Sequence, residues 1–232
     1  AMHACLLKVP WSGSGKGLNW CLHGFTKPVS NWCERVLREQ GGLTAEPIYN
    51  KVKDFALEFY SDGQGEVRFA GYSVFSTNEH GAYTGNLLVS DGQIEESIAC
   101  CLSLEKLTGI REALRAELAS IYGNTYTGYL GVDMMVCRSD KENGYRVHPC
   151  VEINMRMNMG VVARLFYDRF VASGSKGCFA VEYVPDNETL RARHEQDMHD
   201  YPLTVEQGRL ASGYLPLVPV TGKSCYRAYV RI

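Results

Sequence analysis

No apolar run in the sequence approaches the ~18 residues that a transmembrane helix needs, and no signal peptide opens the chain. Charge of one sign is not in excess either, since the formal net charge of the 232 residues is −2. This balance gives no electrostatic reason for binding to nucleic acid or to an anionic membrane. We therefore expect neither a membrane nor a nucleic acid as a partner.

Cysteine motifs that bind zinc are also absent. The nine cysteines include no CxxC pair and no Cys/His spacing typical of a zinc site. Their number is odd, and most of them lie within apolar runs. This pattern is typical of reduced thiols that act as small hydrophobic side chains, and it predicts a cytoplasmic protein.

The composition is that of a globular protein with a substantial core. Of the 232 residues, 45% are apolar and 22% are charged, and both values are ordinary. Strands are predicted over residues 4–10, 43–48, 54–59, 67–74, 129–137, 146–153 and 225–231, and helices from Ser30 or Asn31 to Gly41, from Leu107 to Gly123, and around 160–172 and 187–198. Strands in local pairs with interspersed helices indicate an α+β fold rather than a doubly wound sheet.

The strongest functional signal lies in the predicted strand that contains Glu152 and Asn154. These two residues are two positions apart, so they project from one face of the strand, while Ile153 points into the core. Asp133 is another acid within an apolar run, on the preceding predicted strand. Acids side by side on a buried sheet carry a desolvation penalty, which a hard cation with oxygen ligands would remove. The pattern therefore predicts a metal site.

Whether the two acids meet depends on the loop that joins their strands. If residues 141–144 form a four-residue loop, Asp140 faces Tyr145 and Asp133 lies opposite Glu152. An odd number of loop residues would place the two carboxylates on opposite faces and remove the metal site. The alternative interpretation of Glu152 is a salt-bridged acid at the edge of a sheet.

A glycine-rich loop is the second signal. Its backbone N–H groups and small hydroxyls can meet phosphates, and its residues are Ser12, Gly13, Ser14, Gly15, Lys16 and Gly17. The loop is not a P-loop, because Gly17 follows Lys16 where Ser or Thr is required and Pro10 occupies the position of the first glycine. Lys8 lies on the strand before the loop, where its ammonium group can pair with a phosphate.

Taken in order, these elements resemble the ATP-grasp superfamily. Its pattern is a strand lysine, a flexible Gly/Ser loop, a Glu-containing hinge between lobes, an acid on a later strand and a Glu-x-Asn-x-Arg strand. The matching residues are Lys8, the loop from Ser12 to Gly17, the stretch Glu46, Pro47 and Ile48, then Asp133, and finally Glu152, Asn154 and Arg156. The resemblance implies two α+β lobes with antiparallel sheets that grip the nucleotide. Residues 1–48 would be a remnant of the small lobe with the glycine loop, and residues 49–232 the large lobe with the metal site.

The resemblance also implies a role for each of these residues. Lys8 would hold the α- and β-phosphates of ATP, and the glycine loop would close over the triphosphate. The backbone from Glu46 through Pro47 to Ile48 would bind adenine, and Asp54 would bind the ribose. Asp133, Glu152 and Asn154 would hold one or two Mg²⁺ ions, with Mn²⁺ as a substitute, and Arg156 would steady the transferring phosphate.

Two parts of the family pattern have no counterpart before Lys8. They are an earlier strand with a second ATP-binding lysine and a preceding α/β domain that helps to shape the acceptor site. We therefore expect either a fragment or a chain whose N-terminal domain has been lost or is supplied by a partner. A homo-oligomer is compatible with the sequence.

The activity implied by the resemblance is that of a ligase. A carboxylate would attack the γ-phosphate of ATP to give an acyl phosphate, and an amine or a thiol would then displace the phosphate. Both substrates would be small molecules, and the acceptor site is expected between Arg68 and Asn86. The alternatives are a non-catalytic nucleotide-binding or regulatory module derived from an ATP-grasp enzyme, and an α+β scaffold that binds no nucleotide.

Overall fold

A computed structural model describes residues 4–12, 17–78, 81–139 and 144–232. The chain divides into two compact units, one of Ala1–Asn50 with Thr77–Tyr83 and the other of Lys51–Ser76 with Thr84–Ile232. We call them the small unit and the large unit. Helices and antiparallel sheets occur together along the chain, which confirms the predicted α+β class.

The small unit contains one three-stranded antiparallel sheet and one helix. Its elements are β1 (Cys5–Lys8), β2 (Leu18–Cys21), α1 (Lys27–Gln40) and β3 (Thr44–Pro47), and the strand order is β2-β1-β3. Leu7, Cys21 and Cys33 form its buried core, so two of the cysteines act as hydrophobic side chains as predicted. Helix α1 ends as predicted, because Gly41 adopts the left-handed conformation and donates its N–H to the carbonyl of Leu37.

The predicted start of α1 at Ser30 or Asn31 is wrong. The helix begins at Lys27, four residues before Asn31, and Thr26 is its N-cap residue. Pro28 lies in the first turn, where its fixed φ favours the helix and its missing N–H leaves no donor unsatisfied. The proline therefore sets the start, and the Thr26 side chain makes no capping hydrogen bond.

The large unit is built around a four-stranded antiparallel sheet, and a second sheet combines strands from residues 75–88 with strands after residue 176. The strands and helices after residue 50 are β4 (Lys51–Asp62), β5 (Val67–Ser73), β6 (Phe75–Thr77), β7 (Tyr83–Leu88), α2 (Asp91–Ala99), α3 (Leu104–Tyr122), β8 (Thr127–Arg138), β9 (Tyr145–Asn154), α4 (Met159–Phe170), β10 (Gly177–Tyr183), α5 (Asn187–Asp200), β11 (Thr204–Glu206), β12 (Arg209–Ser212), β13 (Tyr214–Pro216) and β14 (Tyr226–Arg231). The four-stranded sheet has the order β5-β4-β8-β9, and the second sheet has the order β13-β14-β10-β7-β6. None of the helices among the described residues is long and apolar enough to cross a membrane.

One face of the four-stranded sheet forms the main hydrophobic core. Phe55, Leu57 and Phe59 alternate along β4 and are fully buried, as the alternation in the sequence predicts. Residues such as Ile94 of α2 and Leu107 of α3 belong to the same buried cluster. Two helices therefore cover this face, which leaves the opposite face to the polar positions of the strands.

The opposite face carries the polar residues and small side chains. Glu58 of β4 pairs with Gly71 of β5 and with Gly131 of β8, and Gly131 pairs with Asn154 of β9. In the next row, Ala56 pairs with Ser73, and on its other side Asp133 lies between Ala56 and Glu152. The small side chains in these two rows leave room for another element to approach the sheet closely.

Helix α4 occupies part of this room. A Cβ atom at Gly160 would lie 2.1 Å from Glu58 Oε1 and 2.4 Å from Ser73 Oγ. A Cβ atom at Gly71 would lie 2.5 Å from Cδ of Arg164, which is itself on α4. Glycine is therefore required on both the helix and the sheet, and the start of α4 lies directly over the strands.

We predict that Gly160→Ala lowers the free energy of unfolding by roughly 1 to 3 kcal/mol, because the added methyl group overpacks a site already filled by Glu58 and Ser73. Gly109→Ala is the matched control, since Gly109 lies in α3 with nothing within 4 Å of a Cβ atom. That substitution should raise the stability by roughly 0.5 to 1 kcal/mol. Urea denaturation measures both changes, and equal effects of the two substitutions would contradict the close approach of α4.

Candidate metal centre

Asp133 and Glu152 are directly paired across β8 and β9, as predicted. Because residues paired across an antiparallel ladder project from the same face, the two carboxylates are neighbours. Asp133 is partly buried and Glu152 is exposed. Burial, followed by the charge of Glu152, raises the pKa of Asp133 from 3.8 to about 7. Ionisation of Asp133 is therefore opposed both by burial and by the negative charge of Glu152.

The loop geometry from which this pairing was predicted is wrong. Tyr145 pairs with Arg138 rather than with Asp140, so that six residues separate the last paired residues of the two strands. The register then shifts between Asp133 and Met135, where β9 contains two more residues than β8. Pro149 lies in this stretch of β9, an edge strand, where a residue without an N–H is tolerated. Since the shift is an even number of residues, both carboxylates stay on one face.

Asn154 and Arg156 extend the pair into a chain of hydrogen bonds. Asn154 Nδ2 donates to Asp133 Oδ2 at 3.1 Å, and Arg156 Nη2 donates to Asn154 Oδ1 at 3.0 Å. The bond from Asn154 and the charge of Arg156 both lower the pKa of Asp133, although burial and Glu152 outweigh them. The Arg156 side chain is exposed, so its guanidinium can meet an anion.

The donor atoms of this cluster fit a hard divalent cation. They are carboxylate and amide oxygens, which Mg²⁺ prefers, and Mg²⁺ commonly uses one or two protein carboxylates and keeps several waters. Among the described residues there is no group of three or more His, Cys, Asp or Glu side chains that could hold a metal ion. A metal at this position would therefore depend on the two carboxylates and on the oxygen of Asn154, which here accepts from Arg156, with the remaining ligands from water or from a bound anion.

Asp54 lies on the same strand face as Ala56, the direct partner of Asp133. Its charge contributes to the raised pKa of Asp133. The carboxylate of Asp54 forms an ion pair with the ammonium of Lys51, which is largely exposed. The ribose-binding role of Asp54 stays a prediction, and what the structure gives is a negative charge near the carboxylate pair.

Glu58 is the residue of this face that the sequence analysis did not assign. The alternation along β4 placed it on a half-buried polar face, but its exposed fraction is only 1%. Ser73 Oγ donates to Glu58 Oε1 and Asn158 Nδ2 donates to Glu58 Oε2, both at 2.9 Å. Burial outweighs these bonds and raises the pKa of Glu58 to about 7. The sequence signal that could have indicated a buried acid is the position of Glu58 between two large apolar residues, Leu57 and Phe59.

In the small unit, the structure brings two of the predicted residues together. Lys8 Nζ lies 2.6 Å from Glu46 Oε2, and both side chains are about a quarter exposed. Ser12 is exposed, and Gly17 has a φ of 74°, which favours glycine. The remaining residues of the predicted glycine loop, Gly13, Ser14, Gly15 and Lys16, lie outside the described residues.

The fold of the chain is that of the ATP-grasp enzymes, as the resemblance in the sequence implied. No protein-family model and no curated protein matches the sequence. Among solved structures, the N5-carboxyaminoimidazole synthetase of Staphylococcus aureus, complexed with ADP, is similar with a TM-score of 0.56 and 10% identity. The similarity covers 99% of this chain and 57% of that one.

Two other solved structures show the same likeness. The carboxyaminoimidazole ribonucleotide synthase of Aspergillus clavatus, complexed with ATP, has a TM-score of 0.55 and 11% identity, and covers 98% of this chain and 57% of its own. The biotin carboxylase domain of the 2-oxoglutarate carboxylase of Hydrogenobacter thermophilus, in complex with MgADP and bicarbonate, has a TM-score of 0.52 and 12% identity, over 100% of this chain and 53% of its own. At such identities the likeness is one of fold, and the chain spans little more than half the length of these structures.

The raised pKa values predict how stability depends on pH. In the unfolded chain Glu58 and Asp133 return to their ordinary pKa values of 4.5 and 3.8, whereas in the folded protein both titrate at about 7. Between these limits the folded protein holds protons that the unfolded chain has lost, so the free energy of unfolding falls as pH rises. Without divalent cations we expect a loss on the order of 3 kcal/mol per group between about pH 4.5 and pH 7.

Urea denaturation across this pH range, in the presence of a chelator, measures the effect. Glu58→Gln removes one of the two titrating groups and should reduce the slope. A free energy of unfolding that rises through the window, or an unchanged slope in Glu58→Gln, would contradict the burial of these charges.

Proposed function

We propose that the chain is the Mg-ATP-binding domain of an ATP-grasp enzyme that joins a small carboxylate to an amine or a thiol. The observation that supports this most is the Asp133–Glu152 pair beside Asn154, on a fold whose solved relatives are complexed with ADP, ATP and MgADP. Two neighbouring acids, one of them with a pKa raised to about 7, have a clear physical use in cation binding.

In this proposal the cluster is the metal end of the nucleotide site. Asp133, Glu152 and Asn154 hold one or two Mg²⁺ ions, for which Mn²⁺ can substitute. Bound Mg²⁺ would neutralise negative charge on the phosphates. Arg156, already directed at Asn154 and exposed, steadies the transferring phosphate with the charge of its guanidinium.

The proposed reaction has two steps. A substrate carboxylate attacks the γ-phosphorus of ATP, the bond to the β-phosphate oxygen breaks, and ADP and an acyl phosphate result. An amine or thiol then attacks the acyl carbon, and inorganic phosphate leaves. The protein contributes mainly positioning and charge neutralisation in both steps. Bicarbonate, which accompanies MgADP in one of the relatives, is the simplest acid of this kind to test first.

The residues of the small unit have predicted roles in the same function. Lys8 would hold phosphates, the loop from Ser12 to Gly17 would cover them, and Glu46, Pro47 and Ile48 would bind adenine. The short Lys8–Glu46 ion pair is compatible with this, because an anion that replaces Glu46 would meet an ammonium already fixed on β1.

We predict that Mg²⁺ and ATP together raise the melting temperature of the protein and that Glu152→Gln weakens this effect. At about 100 times the dissociation constant, a ligand stabilises the folded state by about 2.7 kcal/mol, which is about 5–11 °C for a chain of this size. The substitution removes one of the two carboxylate charges that attract the cation. A thermal-shift titration with ATP, with and without Mg²⁺, measures the effect.

Glu117→Gln is the matched control, because Glu117 is an exposed residue of α3. Helix α3 packs on the face of the sheet opposite to Asp133 and Glu152. It should respond to Mg-ATP like the unmodified protein. No stabilisation by Mg-ATP at millimolar concentrations would contradict the proposed function. Mg-ATP binding without ADP release in the presence of bicarbonate or other small carboxylates and amines would instead indicate a non-catalytic nucleotide-binding module.

A second prediction concerns the small unit. Lys8→Met should lower the affinity for Mg-ATP about tenfold, since a cation placed on a phosphate contributes on the order of 1–3 kcal/mol. The free energy of unfolding should change by less than about 1 kcal/mol, because the Lys8–Glu46 pair is partly exposed. Isothermal titration calorimetry and urea denaturation measure the two quantities, with Lys27→Met, an exposed lysine of α1, as the control. Unchanged Mg-ATP affinity in Lys8→Met would exclude the phosphate-binding role.

A further inference from the structure

The segment that carries Arg156 is very short. Strand β9 ends at Asn154, and Asn158 is the N-cap residue of α4, so that only three residues lie between them. The N–H of Arg156 donates to the carbonyl of Asn154 at 2.9 Å. The position of Arg156 is therefore determined largely by how the two asparagines at the ends of the segment are held.

The first end is fixed by the sheet. Asn154 pairs with Gly131 on β8 and donates to Asp133, as described above. The second end is fixed by Glu58. Asn158 Nδ2 donates to Glu58 Oε2 at 2.9 Å, and Asn158 Oδ1 accepts from the N–H of Val161 at 2.9 Å. The amide of Asn158 thus joins the first turn of α4 to a buried carboxylate of β4.

The space in which Glu58 and Asn158 meet is closed on the sheet side by Gly131. A Cβ atom at Gly131 would lie 2.2 Å from Asn158 Nδ2 and 2.4 Å from Glu58 Oε2. Both side chains are buried, with exposed fractions of 1% for Glu58 and 9% for Asn158. Because the interior leaves no room for water between them, the loss of either partner would leave the other without its hydrogen bond.

We propose that Glu58 is a positioning residue for Arg156. It acts through Asn158, which it holds over Gly131, and thereby fixes the end of the three-residue segment from which the Arg156 guanidinium projects. In this proposal Glu58, whose bonds go to Ser73 and Asn158, does not itself bind nucleotide or metal. The inference rests on the proposed function, since it assigns to Glu58 the placement of the group that meets the transferring phosphate.

The affinity for MgATP relative to MgADP is the quantity that tests this. Only MgATP carries the transferring phosphate, so misplacement of Arg156 weakens MgATP binding and leaves MgADP binding largely unchanged. A merely structural loss would weaken both ligands alike. Isothermal titration calorimetry on the full chain gives both dissociation constants, and Arg156→Ala sets the size of the effect.

We expect Glu58→Met to reduce the MgATP preference about tenfold, because it removes the acceptor for Asn158 at little change in volume. Glu58→Gln should retain the preference within about twofold, since its amide oxygen can still accept from Asn158. Asn158→Asp keeps the N-cap acceptor but places two carboxylates face to face, and should also lose the preference. The double variant Asn158→Asp/Glu58→Gln exchanges donor and acceptor and should restore it.

Ser73→Ala is the control, because Ser73 donates to Glu58 Oε1 whereas Asn158 donates to Glu58 Oε2. It should leave the MgATP preference unchanged. In a double-mutant cycle, Glu58→Met should add nothing to Arg156→Ala.

Retained MgATP preference in both Glu58→Met and Asn158→Asp overturns this inference alone. If the unmodified protein shows no preference for MgATP, or if Arg156→Ala keeps that preference, Arg156 does not contact the transferring phosphate. The inference about Glu58 is then overturned as well. Absence of Mg-dependent binding to either nucleotide overturns the proposed function as well.

Discussion

The cost of keeping carboxylates away from water governs the polar face of the large unit's sheet. Glu58 and Asp133 lie on adjacent strands and in adjacent rows of this face, and burial raises the pKa of each to about 7. Glu58 is satisfied from within the protein, by Ser73 and Asn158. Asp133 receives one bond from Asn154 and faces Glu152, so its ionised form is less well stabilised within the protein. One acid is therefore bonded on both oxygens within the protein, and the other is the acid that we propose for cation binding.

Strand pairing fixes the positions of the two acids relative to each other. The row Gly71–Glu58–Gly131–Asn154 lies beside the row Ser73–Ala56–Asp133–Glu152, and backbone hydrogen bonds fix the order within each. The opposite face is a continuous apolar core against α2 and α3. A site carried by strands of this kind is held more precisely than one carried by loops. The arrangement suits electrostatic stabilisation, which depends on charges that are in place before the ligand arrives.

The sequence predicted this fold best where periodicity and turn residues agreed. The alternation along β4 and the Gly41 terminus of α1 are confirmed. Helix α3 lies where it was predicted, although it begins at Leu104 rather than Leu107 and Ile121 near its end is exposed. Helix α2 was not predicted, although Ser90 and Gln93 form a capping box and gave a local signal for it. The pairing of Asp133 with Glu152 was predicted from a loop register that is wrong, and the irregularity near Pro149 compensates for the difference. The role of Glu58 could not be found from its own strand, because its partner Asn158 lies 100 residues away.

The irregular stretch of β9 also separates two parts of one hairpin. From Arg138 and Tyr145 as far as Met135 and His148 the strands follow one register, and from Asp133 and Glu152 onward they follow another. The carboxylate pair thus follows a register of its own, in which Asp133 lies between Ala56 of β4 and Glu152 of β9. One hairpin therefore contains two registers that differ by an even number of residues, so the row of Asp133 and Glu152 stays on one face of the sheet although Arg138 and Tyr145 are paired differently.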